Sequence, residues 1–322
     1  MKRLRDYGEY AFVKTQVVCL EKFAGAKNIF VKLEGENLNK SIKSRTAYFL
    51  FKDILSRGRF QNVVESSSGN LGLSLGYFAK RLDVNFLCLV DETVPELKLR
   101  QLQEADVQYE KVSLGNFPDY RTARITYAKA LDRRPDWVWT NQYDNLANAE
   151  AHYQTIGPEL FEQLNEDIDF FVCSLGSGGT ISGVSRYLKE KSPDVKVVAV
   201  EPNGSTIFGG ETSKYITAGS GLSYPSGIMR AHWNLFDYYA KVSDSMAIQT
   251  CLDMQRIENI AVGITSGAAL YVAKYLSEKY KDKRITCISP DGGQFYQTEF
   301  DNYHPEKTGE PEIHKVDLRM LG

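Results

Sequence analysis

The 322-residue chain lacks an excess of either charge, has few cysteines and contains no long apolar run. Each shortage excludes a class of function. Lysine and arginine number 39 against 41 aspartate and glutamate, a net charge of −2. No basic field is available for nucleic acid or an anionic membrane surface. The cysteines, Cys19, Cys88, Cys173, Cys251 and Cys287, are scattered, and no Cys-x-x-Cys spacing occurs. Neither a zinc site nor a disulfide framework is indicated, so no metal is expected. An odd number of thiols in mostly strand-like surroundings suits a reducing compartment. Nothing approaches the length of a transmembrane segment, and no apolar leader follows the basic start Met1-Lys2-Arg3. A cytoplasmic location is therefore expected. Repeats and low-complexity tracts are also missing.

What is there is an ordinary globular composition, 43% hydrophobic and 25% charged, with room for two lobes. Short apolar stretches predict strands over residues 62–64, 85–90, 107–112, 170–174, 196–201 and 284–289. Amphipathic stretches between them predict helices, among them 96–104, 120–131 and 266–280. This alternation predicts an α/β fold of mostly parallel sheets covered by helices, with ligand loops at strand C-termini. The charged end, from Asp301 onward, reads as a tail on the surface.

Four strand-to-helix turns carry the chemistry. Lys43, in Asn37-Leu38-Asn39-Lys40-Ser41-Ile42-Lys43-Ser44-Arg45, stands where a strand-like stretch gives way to a helix. A partly desolvated lysine there can act as a nucleophile toward an aldehyde cofactor. Glu65-Ser66-Ser67-Ser68-Gly69-Asn70-Leu71-Gly72 opens another helix, and its hydroxyls and N–H groups suit a substrate carboxylate. Gly176-Ser177-Gly178-Gly179-Thr180 follows a buried-looking strand. No Gly-Lys-Ser/Thr follows, and Ile181 stands where a dinucleotide fingerprint needs its third glycine, so the loop suits a monophosphate. The last turn is Gly263-Ile264-Thr265-Ser266-Gly267, and Ser289-Pro290-Asp291-Gly292-Gly293 follows further on.

In this order, and over nearly the whole chain, these segments resemble the fold-type II pyridoxal-phosphate family of cysteine synthase and cystathionine β-synthase. Asn37, Ser41, Lys43 and Arg45 match its lysine motif, whereas Leu38, Asn39, Lys40 and Ser44 depart from it. Ser68-Gly69-Asn70 matches the carboxylate loop, and Gly176 to Thr180 the phosphate loop, with Ser177 replacing threonine. Asn141-Gln142-Tyr143 through Gly157-Pro158-Glu159 resembles a further family segment. The early Gly-x-Thr-Pro-Leu element survives only as Thr15.

The resemblance implies pyridoxal 5′-phosphate as cofactor, carried by Lys43 and contacted by Asn70 and Thr265. Gly176, Ser177, Gly178, Gly179 and Thr180 are expected to hold its phosphate. Ser67, Ser68, Gly69, Asn70 and Gln142 are expected to bind the substrate carboxylate, with Asn70 also touching the cofactor. Small amino acids are the implied partners of a homodimer. The implied architecture is two-lobed: residues 37–142 as a smaller inserted lobe, 1–36 and 143–322 as the larger, the cofactor lying in the cleft.

The implied reaction is β-replacement on an activated L-serine through an aminoacrylate. Glu65 to Gly72 with leucine after Asn70, Asn141 to Tyr143, His152-Tyr153 and Gly204 to Gly209 are similar to one branch of the family. That branch joins O-phosphoserine to the amino group of glutamate, in 2,3-diaminopropionate formation for siderophores and antibiotics. Rival readings are a cysteine synthase using sulfide, elimination to pyruvate and ammonia, a non-catalytic binding protein, and a nicotinamide-dependent oxidoreductase. The missing third glycine disfavours the last. Lys40 and Arg230 are candidate cations for a second substrate, while His152 reads as a packed helix residue.

Overall fold

A computed structural model describes residues 12–25, 27–58, 60–67, 69–217, 219–304 and 309–321. The chain forms two compact units. Asn37–Asn39 and Lys43–Asn148, with residues 12–13, make the smaller; Lys14–Glu36, Lys40–Ile42 and residues 149–321 make the larger. The smaller unit runs past Gln142 because the next turn is bonded into it. Asn145 Nδ2 donates to Asp53 (2.8 Å) and to the Thr140 carbonyl (3.1 Å), and Asn148 Nδ2 donates to the Gln142 carbonyl (2.8 Å).

The smaller unit is built on four parallel strands in the order β5 (Gln108–Val112), β4 (Asn85–Asp91), β3 (Asn62–Ser66), β6 (Trp137–Trp139). Val63, Val64, Cys88, Leu89 and Val90 are wholly buried in its two inner strands. Such apolar runs mark strands covered on both faces. Helices Lys43–Arg57, Asn70–Leu82, Glu96–Glu104 and Tyr120–Asp132 alternate with the strands. Phe51, Leu75 and Phe78 fill the space between the first two helices and the sheet.

The larger unit carries seven strands in the order β1 (Val17–Cys19), β2 (Ile29–Leu33), β10 (Ile285–Ser289), β7 (Phe170–Ser174), β8 (Lys196–Pro202), β9 (Tyr238–Val242), β11 (Ile313–Lys315). The five central strands are parallel, and β1 and β11 pair antiparallel at the edges. Part of the expected tail is thus an edge strand: Ile313 pairs with Ala240 and Lys315 with Tyr238. Helices Gly179–Lys191 and Ile264–Lys279 follow the C-terminal side of the sheet, and the latter packs Ala269, Leu270, Val272 and Ala273 into the core. Among the described residues no helix is long and apolar enough to cross a membrane. No group of three or more metal-ligating side chains occurs among them either.

Candidate functional site

In the larger unit, β2, β10 and β7 are neighbours, and the loops at their C-terminal ends are laced together. Ile42 N–H donates to the Pro290 carbonyl (2.8 Å), and Ser41 and Asp291 form an antiparallel bridge. Asp291 in turn accepts from Gly263 N–H (3.2 Å) through its carbonyl. Helix Ile264–Lys279 begins there, and the Thr265 carbonyl accepts from the Ser174 hydroxyl (2.6 Å) at the end of β7. The turn before Lys43, the Asp291 loop, Thr265 and the start of the glycine loop therefore share one chain of hydrogen bonds. This is the edge at which parallel sheets bind ligands.

The glycine loop is built for close approach. Helix Gly179–Lys191 starts inside it, so Gly179 and Thr180 lie in the first helical turn. The first internal bond runs from Ser182 N–H to the Gly178 carbonyl (3.0 Å). The preceding N–H groups have no partner within the helix, and the helix dipole adds partial positive charge to them. Gly178 has φ +88°, a left-handed conformation that a side chain resists. A Cβ on Gly176 would run into the Gly219 carbonyl oxygen. The segment containing Gly219 is bound alongside, since Gly221 N–H and the Ser220 hydroxyl both donate to the Leu175 carbonyl (2.6 and 2.9 Å). Ser226 Oγ donates to the Ser177 carbonyl (2.7 Å). Glycine backbone, first-turn N–H groups and two hydroxyls together fit a phosphate monoester.

His152, read from sequence as a packing residue, is wholly buried and lies 3.3 Å from Thr180 Oγ1 through Nε2. It therefore stands behind the glycine loop as well as in the core. Thr265 is buried at the second position of its helix. Asp291 is buried too, and its Oδ2 accepts from the Tyr296 hydroxyl (2.9 Å). Burial and that carboxylate push the Tyr296 phenol well up, so it stays protonated.

In the smaller unit, Lys43 opens the helix Lys43–Arg57 and is half-buried. Ser67 is buried, and its Oγ accepts from Gly72 N–H (3.1 Å) and Gly69 N–H (3.4 Å), bracing the start of helix Asn70–Leu82. A Cβ on Gly69 would meet nothing within 4 Å, so the loop is open at that point. Asn70 is the first helical residue, and Ser68 lies outside the described residues. Gln142 is buried, with Nε2 donating to the Ser66 carbonyl (2.8 Å). β3 and β6 are adjacent, so Ser67 and Gln142 follow neighbouring strand ends.

Three groups here had no role in the sequence reading. Glu65 is wholly buried at the end of β3. Arg121 lies in the first turn of helix Tyr120–Asp132 and Arg124 begins the second. Arg124 pairs with Asp91 (2.7 Å), and the Arg121 guanidinium lies 4.2 Å from the Tyr143 ring centroid. The available signal was the charge of Glu65 in an apolar strand and the i, i+3 spacing of the arginines. Two other cations, Lys40 and Arg230, were named from sequence. Lys40 is exposed with φ +53°, and Arg230 Nη1 donates to the Leu321 carbonyl (3.1 Å). Within Gly204 to Gly209, Ile207 and Phe208 are core residues, and Glu201 accepts from the N–H groups of both.

A family model described as pyridoxal-phosphate dependent enzyme matches residues 9–291. Cysteine synthase B of Campylobacter jejuni is 31% identical over 288 residues, 88% of this chain and 93% of that protein. An O-acetylserine dependent cystathionine beta-synthase of Bacillus subtilis is 32% identical over 276 residues, 83% and 87% of the two chains. The solved O-acetylserine dependent cystathionine beta-synthase of Helicobacter pylori is similar at TM-score 0.81 and 25% identity, covering 92% of this chain and 97% of that one.

Proposed function

This chain belongs to the pyridoxal-phosphate dependent enzyme family, and from that premise we propose that it replaces the β-substituent of an activated L-serine, O-phosphoserine or O-acetylserine, with the amino group of L-glutamate. Pyridoxal 5′-phosphate, when bound, supplies the electron sink that acidifies the α-proton and lets the β-substituent leave. Lys43 Nζ would hold the cofactor and, as a free amine, would take the α-proton of the substrate. Gly176, Ser177, Gly178, Gly179 and Thr180 hold the phosphate through N–H groups and hydroxyls. Ser67, Ser68, Gly69, Asn70 and Gln142 receive the substrate carboxylate.

The Thr265 hydroxyl, buried at the start of its helix, would serve the cofactor's ring nitrogen. A hydroxyl stabilises a protonated ring far less than a carboxylate does, which favours prompt loss of the leaving group.

Glutamate is a dicarboxylate and needs a cation or several oriented donors, whereas sulfide needs almost none. The observation that carries the choice is Arg121, held over the ring of Tyr143, the residue directly after Gln142. The product is then N-(2-amino-2-carboxyethyl)-L-glutamate, a precursor of 2,3-diaminopropionate. A second reading, sulfide as nucleophile, draws on relatives named cysteine synthase. The test supplies O-phosphoserine or O-acetylserine with glutamate and with sulfide, separately, and identifies products by mass. A glutamate adduct is expected. Arg121→Ala should raise the KM for glutamate by roughly 10-fold or more, from loss of a charge-assisted hydrogen bond, and leave sulfide turnover alone. Efficient cysteine formation with no glutamate adduct would move the chain to the sulfide reading.

A further inference from the structure

The Glu65 carboxyl is wholly buried at the end of β3, where an unpaired charge is costly. Among the described residues its partners are four neutral donors. Oε1 accepts from Ser66 N–H (2.7 Å) and Trp139 Nε1 (3.4 Å). Oε2 accepts from Gln142 N–H (3.1 Å) and from the Thr140 hydroxyl. The Gln142 side chain returns to the Ser66 carbonyl (2.8 Å). The β3–β6 ladder ends at Val64 and Trp139, and Thr140 N–H still reaches the Val64 carbonyl (3.2 Å). Beyond that point the Glu65 carboxyl replaces the ladder and ties the two strand ends together.

The charged and titratable groups around it leave its charge uncompensated. On β4, burial pushes the Cys88 thiol up to about 12, so it stays neutral. Asp91, at the end of β4, pairs with Arg124 of helix Tyr120–Asp132 at 2.7 Å, which offsets that guanidinium. Arg121 lies on the Tyr143 ring, and burial holds the Tyr143 phenol protonated. Asp132 accepts from Trp139 N–H (2.8 Å), and Asp119 caps its helix at Thr122 N–H (2.7 Å). Desolvation therefore outweighs the four hydrogen bonds and pushes the Glu65 carboxyl up to about 7.

We propose that Glu65 is a positioning residue for the carboxylate-binding loop, its ionised form holding Ser66 and Gln142 ready for a substrate carboxylate and its protonated form releasing them. This rests on the reading that Ser67 to Asn70 and Gln142 bind that carboxylate. The proton comes from solvent and settles on Oε2, which then donates to Thr140 Oγ1. Gln142 N–H loses a charged acceptor in the exchange, and the strand ends loosen.

The test uses the cofactor-loaded enzyme and L-alanine, which has no leaving group, with binding followed by the absorbance of the bound cofactor. If only the ionised form binds, the wild-type Kd should rise about 10-fold between about pH 8 and about pH 6. Glu65→Gln should bind weakly with no inflection in that range. Infrared difference spectra should show a protonated carboxyl band appearing in the wild type over the same range and missing in the variant. Should Glu65→Gln fail to fold, Thr140→Val removes a hydrogen bond that favours the charged form and should move the inflection to higher pH. An inflection that persists in Glu65→Gln, or stays in place in Thr140→Val, or an infrared band that does not titrate, would overturn the proposal. Gln142→Ala tests the underlying reading separately. Wild-type affinity in that variant would overturn the carboxylate loop, and the positioning role with it, while the Glu65 band still titrated.

Discussion

Two lysines only eleven positions apart in the sequence sit in different surroundings. Lys32, in β2, is wholly buried and saturated: Nζ lies 2.8 Å from Glu159, 3.1 Å from the Thr15 carbonyl and 2.9 Å from Gln163 Oε1. Its charge is part of the fold. Lys43 begins a helix at a strand-end turn and is half-buried. Lys32→Met should leave Glu159 without its cation and cost about 3–5 kcal/mol, read from urea unfolding. The residual folded protein should still bind cofactor. Lys43→Ala should do the reverse, unfolding like the wild type while turnover falls on the order of 10²–10⁴-fold from loss of the acid–base group. Borohydride reduction and peptide mapping of the wild type should place the pyridoxyl group on Lys43. A label on Lys32 or Lys40 would reassign the role.

Elements follow from patterns of different strength. The strands 170–174 and 196–202 are apolar runs between turn signals, and the sequence placed them at 170–174 and 196–201. β11 was not: three residues, Ile-His-Lys, have no period, and only the open edge of β9 makes them a strand. Helix Gly179–Lys191 starts at a glycine that propensity would exclude, because Gly178 supplies the left-handed turn and the helix start is needed at the loop. Gly176→Ala should therefore push Cβ against the Gly219 carbonyl and lower cofactor retention on dialysis, with the global fold kept. Helix Tyr120–Asp132, which carries Arg121 and Arg124, is capped by Asp119, whose Oδ1 accepts from Thr122 N–H at 2.7 Å. Asp119→Ala should cost about 1 kcal/mol of stability in urea.

At the scale of the whole molecule, Glu65 links stability to pH. Its proton affinity in the folded state, about 7, lies above the ordinary 4.5. Its contribution is fully present below 4.5 and is lost as pH rises through about 7. Relative to Glu65→Gln, wild-type stability should therefore fall by up to about 3 kcal/mol between about pH 5 and about pH 8. Paired urea titrations across that range measure it. A constant difference would show that Glu65 keeps one protonation state in the fold.

The sequence by itself determined the α/β alternation, the order of the candidate ligand loops and the family. Glycines, hydroxyls and a lysine at strand-to-helix turns are local signals that need no knowledge of distant residues. Only the tertiary structure decided which of these loops are laced together. Strand order is set by packing, so β2, β10 and β7 become neighbours although β10 comes late in the chain. It alone also decided that Glu65 faces four neutral donors, that Arg121 lies on Tyr143, and that the segment from Gly204 to Gly209 turns two of its side chains into the core. Burial and charge compensation depend on residues far apart in sequence, and those are the quantities that set proton affinity and pocket chemistry.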